Sequence, residues 1–401
     1  MKALVVHPGT QYSFRLARQL HRHGCLSRFW TGFAYTPKST LGRCLNLLPS
    51  QYQKSFAIRC LEGVPAERLR TRPLIEWRAL RQQRAGCDYQ QVMLDRNAAF
   101  QRAIPRREIT GSDVVIGFDT SSWLLAERAS ALGRPLLLDQ SIGHPLSYQR
   151  LFPILCKQFP EWVEDFSPRL PQLLLAEETE HRQARRIVVP SSFARGTLIE
   201  NGIPAEKIAI IPFGVDLDLF SSVQRPDLSR PLRFVFLGSL GARKGVPLLL
   251  QAWRSLGTHD AELWLAGPVH ERHRRLIPPL PGLRLIGKVP HRELPGLLRQ
   301  CDVLVLPSYF EGLAQVQLEA LASGLPIIAT EATGAPDLIT NGVEGYTIPT
   351  GDGEALRVAL QRFIAAPDDL LHMSPAARRC AERYSWDAYG DRWMDLLRQV
   401  A

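Results

Sequence analysis

Two glutamates, Glu311 and Glu319, stand eight positions apart around a turn that the sequence predicts between a strand and a helix. The apolar run at 303–306 is typical of a buried parallel strand. Residues 313–322 are mostly good helix formers, with Leu318 and Leu321 on one side. The pattern therefore predicts one carboxylate before the helix and a second carboxylate inside it.

This spacing suits a ligand with a polar group at each end and a phosphate between them. At about 1.5 Å of rise per residue, the carboxylates lie roughly 12 Å apart along the helix axis. That length approaches the distance from sugar to ribose in a nucleotide sugar. The free amides of Gly312, Leu313 and Ala314 at the predicted helix start would attract the diphosphate. By spacing alone, an acid favoured by the helix dipole plus a solvated glutamate is an alternative.

A second turn has the same chemical bias. Gly238 and Ser239 begin a glycine-containing turn, GSLG, directly after an apolar run. Arg243 and Lys244 then stand at the entrance to the next predicted helix, where a basic pair favours an anion. Tight packing is the alternative explanation for the glycines. With the basic pair beside them, the pattern favours anion binding.

Composition limits the class of protein. A chain of 401 residues exceeds the usual size of a single core, so two domains are expected. Hydrophobic residues make up 45% and charged residues 22%, as in ordinary globular proteins, and no apolar run approaches the roughly 20 residues of a bilayer span. Seven scattered cysteines indicate reduced thiols, no zinc site and a cytoplasmic location.

The charge is unevenly distributed. Residues 1–110 contain 19 Lys and Arg against 6 Asp and Glu, a net charge of +13, whereas the remainder carries −3. An anionic partner is expected: a membrane surface, or an acidic lipid or glycan. No nucleic-acid-binding motif accompanies the charge, so no nucleic-acid partner is predicted. A solubilising arginine-rich surface is the alternative.

Strand and helix patterns alternate along most of the chain. A strand at 2–7, a turn at Gly9 and Thr10 and a helix at 14–23 form the first unit. Residues 31–110 are interpreted as helical hairpins, either with an interfacial amphipathic surface or as a plain helical insertion. Repeated strand–helix units predict an α/β fold of two Rossmann-like doubly wound domains facing across a cleft. The predicted boundaries are 1–221, a linker at 222–231, a second domain at 232–385 and a C-terminal helix at 386–401.

Several segments carry a family resemblance. SYFEGLAQVQLEALASGLPIIAT resembles the EX7E region of retaining family-4 glycosyltransferases of the GT-B fold. GSLGARKG, IIPFGVDLDLF, IGKVPHRELPGLLRQCDVLVLPS and TNGVEGYTIPTGD are similar to further signatures of that family. YSWDAYGDRW resembles its C-terminal helix, which crosses back to the first domain. The likeness is dense over about 187–401 and faint over 1–186.

The resemblance implies roles for individual residues. Glu311 would face the hydroxyls of the donor sugar and Glu319 the ribose, while Lys244 would neutralise the diphosphate. The amides of Gly312 and Leu313 would meet the sugar or the diphosphate. The backbone at Val289 would lie near the base. Such enzymes need no metal and no cofactor, because basic side chains and helix ends stabilise the leaving group.

The chain also departs from the family pattern. The family's arginine after the first strand of the second half is Ser239 here, so Arg243 is expected to take over that phosphate contact. The family's active-site histidine would follow the strand at 113–118, where Asp119 stands instead. Asp119 and His144 are the candidates for a polar role beside the reacting sugar. The alternatives are that Asp119 caps a helix and that His144 is a surface residue whose hydrogen bonds are satisfied.

Together these patterns predict a retaining, metal-independent glycosyltransferase. It would move a sugar from a nucleotide-diphosphate donor to a glycan or lipid-linked acceptor, in cell-surface polysaccharide or glycolipid synthesis, and associate peripherally with the inner face of the membrane. Two alternatives remain open: a nucleotide-sugar epimerase of the same fold, and a donor-binding protein without catalysis.

Overall fold

The computed structural model describes residues 1–10, 12–46, 56–162, 167–221 and 229–400. Its first sheet has seven parallel strands in the order β3-β2-β1-β4-β5-β6-β7. These strands are β1 (Ala3–Val6), β2 (Leu26–Thr31), β3 (Leu69–Thr71), β4 (Val114–Phe118), β5 (Leu136–Asp139), β6 (Arg186–Val189) and β7 (Ile208–Ile210).

The second sheet has six parallel strands in the order β10-β9-β8-β11-β12-β13. They are β8 (Leu232–Leu237), β9 (Ala261–Ala266), β10 (Leu283–Gly287), β11 (Val303–Leu306), β12 (Ile327–Thr330) and β13 (Gly345–Ile348). Two parallel, doubly wound sheets confirm the predicted fold class.

Helices connect the strands of both sheets. In the first half they are α1 (Ser13–Arg22), α2 (Thr40–Asn46), α3 (Pro73–Arg84), α4 (Tyr89–Arg102), α5 (Arg106–Thr110), α6 (Trp123–Ala131), α7 (Pro145–Gln158), α8 (Pro171–Gln183) and α9 (Ser192–Glu200). In the second half they are α10 (Val246–Leu256), α11 (Glu271–Leu276), α12 (Leu294–Leu298), α13 (Gln315–Ala322), α14 (Gly353–Ala365), α15 (Leu370–Glu382) and α16 (Trp386–Val400).

Both faces of the first sheet are buried. In β1, Ala3 and Val5 belong to one apolar cluster, whereas Leu4 and Val6 belong to another. Successive side chains of a strand point to opposite faces, so the two clusters lie on the two sides of the sheet. The entirely apolar sequence of β1 follows from this double burial.

The interpretation of 31–110 as helical hairpins was incomplete. The three-residue β3 lies in this region and forms an edge strand beside β2, through the pairs Phe29↔Leu69 and Thr31↔Thr71. With three residues, β3 is too short to show an alternating pattern of apolar and polar side chains. Its backbone hydrogen-bond partners come from β2, which is distant in the sequence. α3 and α4 do form a helical pair in this region.

The C-terminal segment contains a helix over most of the predicted 386–401 and a further helix directly before it. This segment forms α15 and α16, which are separated where the backbone N–H of Val215 donates to the carbonyl of Tyr384 at 2.8 Å. Residues 383–385 thus meet the segment that leaves the first sheet. Of the predicted linker at 222–231, residues 222–228 lie outside the described residues.

α16 returns to the first half, as predicted. Gln19 of α1 donates to Asp387 Oδ1 at 3.0 Å, and Arg22 also bonds to Asp387. A Cβ on Gly390 would lie 2.7 Å from Gln19 Oε1, so glycine permits this close approach of the two helices. Among the described residues, no helix combines the length and apolar character needed to cross a bilayer.

Candidate functional site

The loop after β11 joins the two halves of the molecule. A Cβ on Gly312 would lie 1.9 Å from the carbonyl oxygen of Ser141, so only glycine fits where the two backbones meet. Ser191 Oγ donates to the carbonyl of Gly312 at 2.5 Å. The ring of Phe310 packs between Tyr148 and Phe193 of the first half, at centroid distances of 5.7 and 5.5 Å. The structure therefore has its cleft closed around residues 308–312.

Glu311 is held by the two cations that the sequence placed at the other turn. Its Oε1 lies 2.7 Å from Arg243 Nη1 and 2.7 Å from Lys244 Nζ, and the residue is 9% exposed. Burial raises the pKa of Glu311, but the charges of Arg243 and Lys244 outweigh it and hold that pKa below its usual value. The carboxylate is therefore ionised, and it neutralises one of two cations.

Lys244 depends on this carboxylate. Burial lowers the pKa of Lys244, and the nearby charge of Arg243 lowers it further. The negative charge of Glu311 raises that pKa and so opposes both effects. Gly238 lies against the lysine stem, since a Cβ there would be 3.5 Å from Lys244 Cε. Ser239 beside it is exposed. The predicted turn is thus assembled around the lysine that faces Glu311.

One glycine of this region was not singled out from the sequence. A Cβ on Gly267, which follows β9, would lie 1.8 Å from the carbonyl oxygen of Gly238. Its φ of 150° is rare for other residues. The loop after β9 therefore closes against the loop after β8.

The helix near Glu311 begins later than predicted. α13 starts at Gln315, and Ala314 is its N-cap in an extended conformation. The amide of Ala314 donates to the carbonyl of Thr333 at 3.4 Å, which holds it in the loop. Gly312 and Leu313 therefore belong to that loop and do not open the helix. Gln315 and Val316 supply the first helical amides.

Glu319, inside α13, has a partner that sequence reasoning missed. Its Oε1 lies 2.7 Å from His291 Nε2, and Glu319 is 7% exposed. The hydrogen bond to Glu319 raises the pKa of His291. His291 stands two residues after Val289, within a segment quoted for the family resemblance. Val289 is half-buried and packs against the core.

A cavity of about 120 Å³ lies beside Glu319, between the two halves. Arg15 of α1 reaches it, 3.3 Å from Asp216 and 5.4 Å from the ring centroid of Trp386. The cavity is lined by Tyr12, Arg15, Gly214, Val215, Asp216, Phe220, His291, Gln315, Glu319 and Trp386. Both halves and α16 therefore contribute to one polar space.

Gly9 and Thr10 form the turn that leads to this cavity. The carbonyl of Gly9 accepts from Thr31 Oγ1 at 3.2 Å, and the carbonyl of Thr10 accepts from Ser13 Oγ at 2.5 Å. These bonds tie the turn to β2 and to the first residue of α1. Tyr12, two positions later, lines the cavity and donates to Asp139 Oδ1 at 3.1 Å.

Asp119 lies in a strained turn after β4. Its carboxylate accepts from the backbone N–H and hydroxyl of Ser141 at 3.3–3.4 Å, and it does not cap α6. Burial raises its pKa, and the bonds from Ser141 oppose that rise. Thr120 has a φ of 62°, unusual for a β-branched residue. Glu180 accepts from the amides of Thr120 and Ser122 at 2.9 and 2.6 Å and so fixes the turn.

His144 is a buried helix cap. Its Nδ1 accepts from the backbone N–H of Leu146 at 3.2 Å, and the residue is 6% exposed, so the surface interpretation is wrong. The imidazole ring lies 4.9 Å from that of His181. Burial lowers the pKa of His144 to about 4, so the ring is neutral near pH 7.

Metal ligation finds no support in the part of the chain that the structure describes. No group of three or more His, Cys, Asp or Glu residues there is arranged to hold a metal ion. Independence from metals and cofactors stays a prediction.

Family models match both halves of the chain. Residues 9–214, a little more than half of the sequence, match the model described as "Glycosyl transferase 4-like domain". The chain belongs to the glycosyl transferase 4-like family. Residues 231–366 match a second model, "Glycosyl transferases group 1".

Curated relatives of this glycosyl transferase 4-like chain include polysaccharide glycosyltransferases. The amylovoran biosynthesis glycosyltransferase AmsK of Erwinia amylovora is 30% identical over 203 residues, which are 46% of this chain and 49% of AmsK. The putative colanic acid biosynthesis glycosyltransferase WcaL of Salmonella typhimurium is 27% identical over 257 residues, 60% of this chain and 61% of WcaL. The chain thus spans about half to three fifths of these relatives.

Solved structures agree with the fold over the whole chain. HepE of Anabaena in complex with UDP and glucose has a TM-score of 0.63 at 17% identity, with all of both chains covered. The sucrose-phosphate synthase of Thermosynechococcus elongatus has a TM-score of 0.66 at 18% identity, covering 100% of this chain and 99% of that one. At such identities the likeness establishes the GT-B fold of this family member and nothing finer.

Proposed function

We propose that the protein is a glycosyltransferase that moves a sugar from a nucleoside-diphosphate sugar to a glycan or lipid-linked acceptor. Cell-surface polysaccharide synthesis is the proposed setting, and the donor is proposed to be a UDP-sugar. The names of AmsK and WcaL support the setting, and the UDP complex of HepE supports the nucleotide.

The observation that carries the proposal is the arrangement of Glu311. One buried carboxylate is held by Arg243 and Lys244 at the point where the two halves meet. Glu319 lies in α13, the helix that follows the Glu311 loop, beside a cavity that both halves line. Two acids and two cations at these positions would suit the sugar, the diphosphate and the ribose of a donor.

The resting ion pairs suggest how a donor is received. A diphosphate entering the cleft would compete with Glu311 for Lys244, because both are anions beside one buried ammonium group. Glu311 would then have an oxygen available for the hydroxyls of the sugar. Arg243 remains anchored by its bond to the carbonyl of Phe310 at 2.6 Å.

We further propose that the reaction retains the anomeric configuration and needs no metal. Lysine, arginine and the first amides of α13 would stabilise the charge on the leaving diphosphate. Departure and attack on one face would let the leaving phosphate take the acceptor proton. The family histidine that Asp119 replaces is then dispensable for chemistry.

The test is a UDP-release assay with a panel of UDP-sugars, with and without glycan or lipid-linked oligosaccharide acceptors. Acceptor-dependent UDP release and an α-linked product from an α-linked donor are expected. An epimerase would change the sugar while the nucleotide stays attached. A binding protein would bind UDP by calorimetry but release none from the donor. Either result would overturn the proposal.

A further inference from the structure

Helix α3 carries an unusual outward face. Leu74, Trp77 and Leu80 recur every three residues and are 70%, 53% and 44% exposed. Arg78, Arg81 and Arg84 recur with the same spacing, and all three are exposed. Residues three and four apart share one side of a helix, so apolar and cationic side chains form one surface. We call these six residues the α3 face.

The opposite side of α3 anchors the helix to the domain. Ala79 is 5% and Glu76 8% exposed. Glu76 lies 3.4 Å from Arg59 and 3.5 Å from Arg96, so its charge is used inside the protein. Glu76 is the single acid between positions 69 and 84, where five arginines stand. The α3 face is therefore cationic, with no acid of its own helix turned outward.

A cation lies against the exposed indole of the α3 face. Arg81 lies 4.8 Å over the ring of Trp77, which keeps a cation on top of the exposed indole. An indole with nearby arginines and leucines suits the boundary between lipid headgroups and acyl chains.

We propose that the α3 face docks the protein onto a membrane rich in anionic phospholipid. The net charge favours this partner, because the first 110 residues have a net charge of +13 and an anionic membrane surface attracts such a segment. The exposed apolar side chains of the α3 face would in addition insert into the boundary between headgroups and acyl chains.

The position of α3 also suits the proposed reaction. α3 follows β3 directly, at the end of the sheet where the Pro8 and Gly32 loops meet through a backbone bond of 3.1 Å. A docked α3 face would hold the cleft near an acceptor whose lipid stays in the membrane. This step rests on the proposed function, whereas docking itself does not.

The experiment is sedimentation with vesicles of pure phosphatidylcholine and of a 7:3 mixture with phosphatidylglycerol. The wild-type chain is expected to bind the anionic vesicles, less so as salt is raised. Arg78→Gln, Arg81→Gln and Arg84→Gln should each weaken partitioning about fivefold, since one arginine contributes roughly that factor near an anionic surface. Leu74→Gln with Trp77→Gln should lose partitioning at least tenfold.

The matched control is Leu175→Gln in α8, because Leu175 is 63% exposed on the same half but outside the α3 face. It should bind vesicles as the wild type does. UDP-sugar hydrolysis in detergent-free buffer should be equal in all these variants, so a failure of the transferase proposal is seen separately.

Three results would overturn the inference. The first is that the wild-type protein does not bind anionic vesicles. The second is that the α3 variants bind them as well as the wild type does. The third is that the wild type binds vesicles without phosphatidylglycerol equally well. A wild-type dimer that the Leu74→Gln, Trp77→Gln variant abolishes would show that a second copy occupies the face instead.

Discussion

Replacing Glu311 by glutamine separates its structural and chemical roles. In the resting protein one oxygen of Glu311 lies 2.7 Å from both Arg243 and Lys244, and its side chain is 11% exposed. Removing one partner of a buried ion pair costs about 3–5 kcal/mol, and the amide oxygen of glutamine restores about 1 kcal/mol as a neutral acceptor. We therefore expect Glu311→Gln to lower the free energy of unfolding by about 2–4 kcal/mol.

That loss is measurable as a lower melting temperature. For a domain of 150–250 residues, about 2–4 °C is lost per kcal/mol, so a decrease of roughly 5–15 °C is expected. Turnover of a UDP-sugar should fall about a hundredfold, because a sugar without its carboxylate is poorly positioned. UDP affinity should remain within a few-fold of the wild type, since Lys244 is still present.

Glu262→Gln is the matched control. Glu262 also bonds to two arginines, Arg233 at 3.1 Å and Arg284 at 2.7 Å, but it lies near the beginning of β9. Because the side chain of its partner Arg284 is 57% exposed, the replacement should cost about 1 kcal/mol and leave turnover unchanged. A Glu311→Gln protein with wild-type melting and wild-type turnover would refute the reasoning.

Three further predictions concern the same cleft. Lys244→Met should weaken UDP binding about tenfold to hundredfold in calorimetry, because a charge-assisted bond to phosphate is lost. The pKa of His291 is raised in the folded state by its hydrogen bond to Glu319. This contact therefore stabilises the folded protein fully below the unfolded pKa of about 6.5. The stabilisation is lost as the pH rises through the raised pKa of the folded state. The melting difference between wild type and His291→Gln should therefore be larger at pH 5.5 than at pH 9. Gly312→Ala should hold the halves apart, since its Cβ would lie 1.9 Å from the Ser141 oxygen, and X-ray scattering should show a larger radius of gyration.

The Lys244 and Gly312 changes each have a matched control variant. Lys157→Met replaces an exposed lysine at the end of α7 and should leave UDP affinity unaltered. Gly196→Ala adds a methyl group that meets nothing within 4 Å, so scattering should not change. A melting difference for His291→Gln that grows with pH would contradict the Glu319 assignment. Unaltered UDP binding by Lys244→Met would remove the lysine from the phosphate site.

Much of the fold was predictable because local patterns are strong where strands are fully buried. The runs at β4 and β11 are apolar throughout, and β8 is apolar from Phe234 onward; these side chains are buried on both faces of the sheets. β3 escaped prediction because three residues cannot show a period, and its partner β2 lies about 40 positions earlier. The late start of α13 was also hidden, since Thr333 holds the amide of Ala314 from outside the local sequence.

The candidate site was predictable in its residue types but not in its partners. Glu311 and Lys244 were identified from separate turns, and the structure joins them in one ion pair. His291 was missed because nothing in its neighbourhood indicates Glu319, 28 positions away. Arg15 was also not identified, because its partners at the cavity, Asp216 and the ring of Trp386, come from distant parts of the chain.

The most direct test is a crystal structure of the protein with a UDP-sugar. The ribose is expected within hydrogen-bonding distance of Glu319, the sugar hydroxyls at Glu311 and a phosphate oxygen at Lys244. A donor bound elsewhere, with Glu311 still paired to Arg243 and Lys244 and the cavity beside Glu319 empty, would contradict the account.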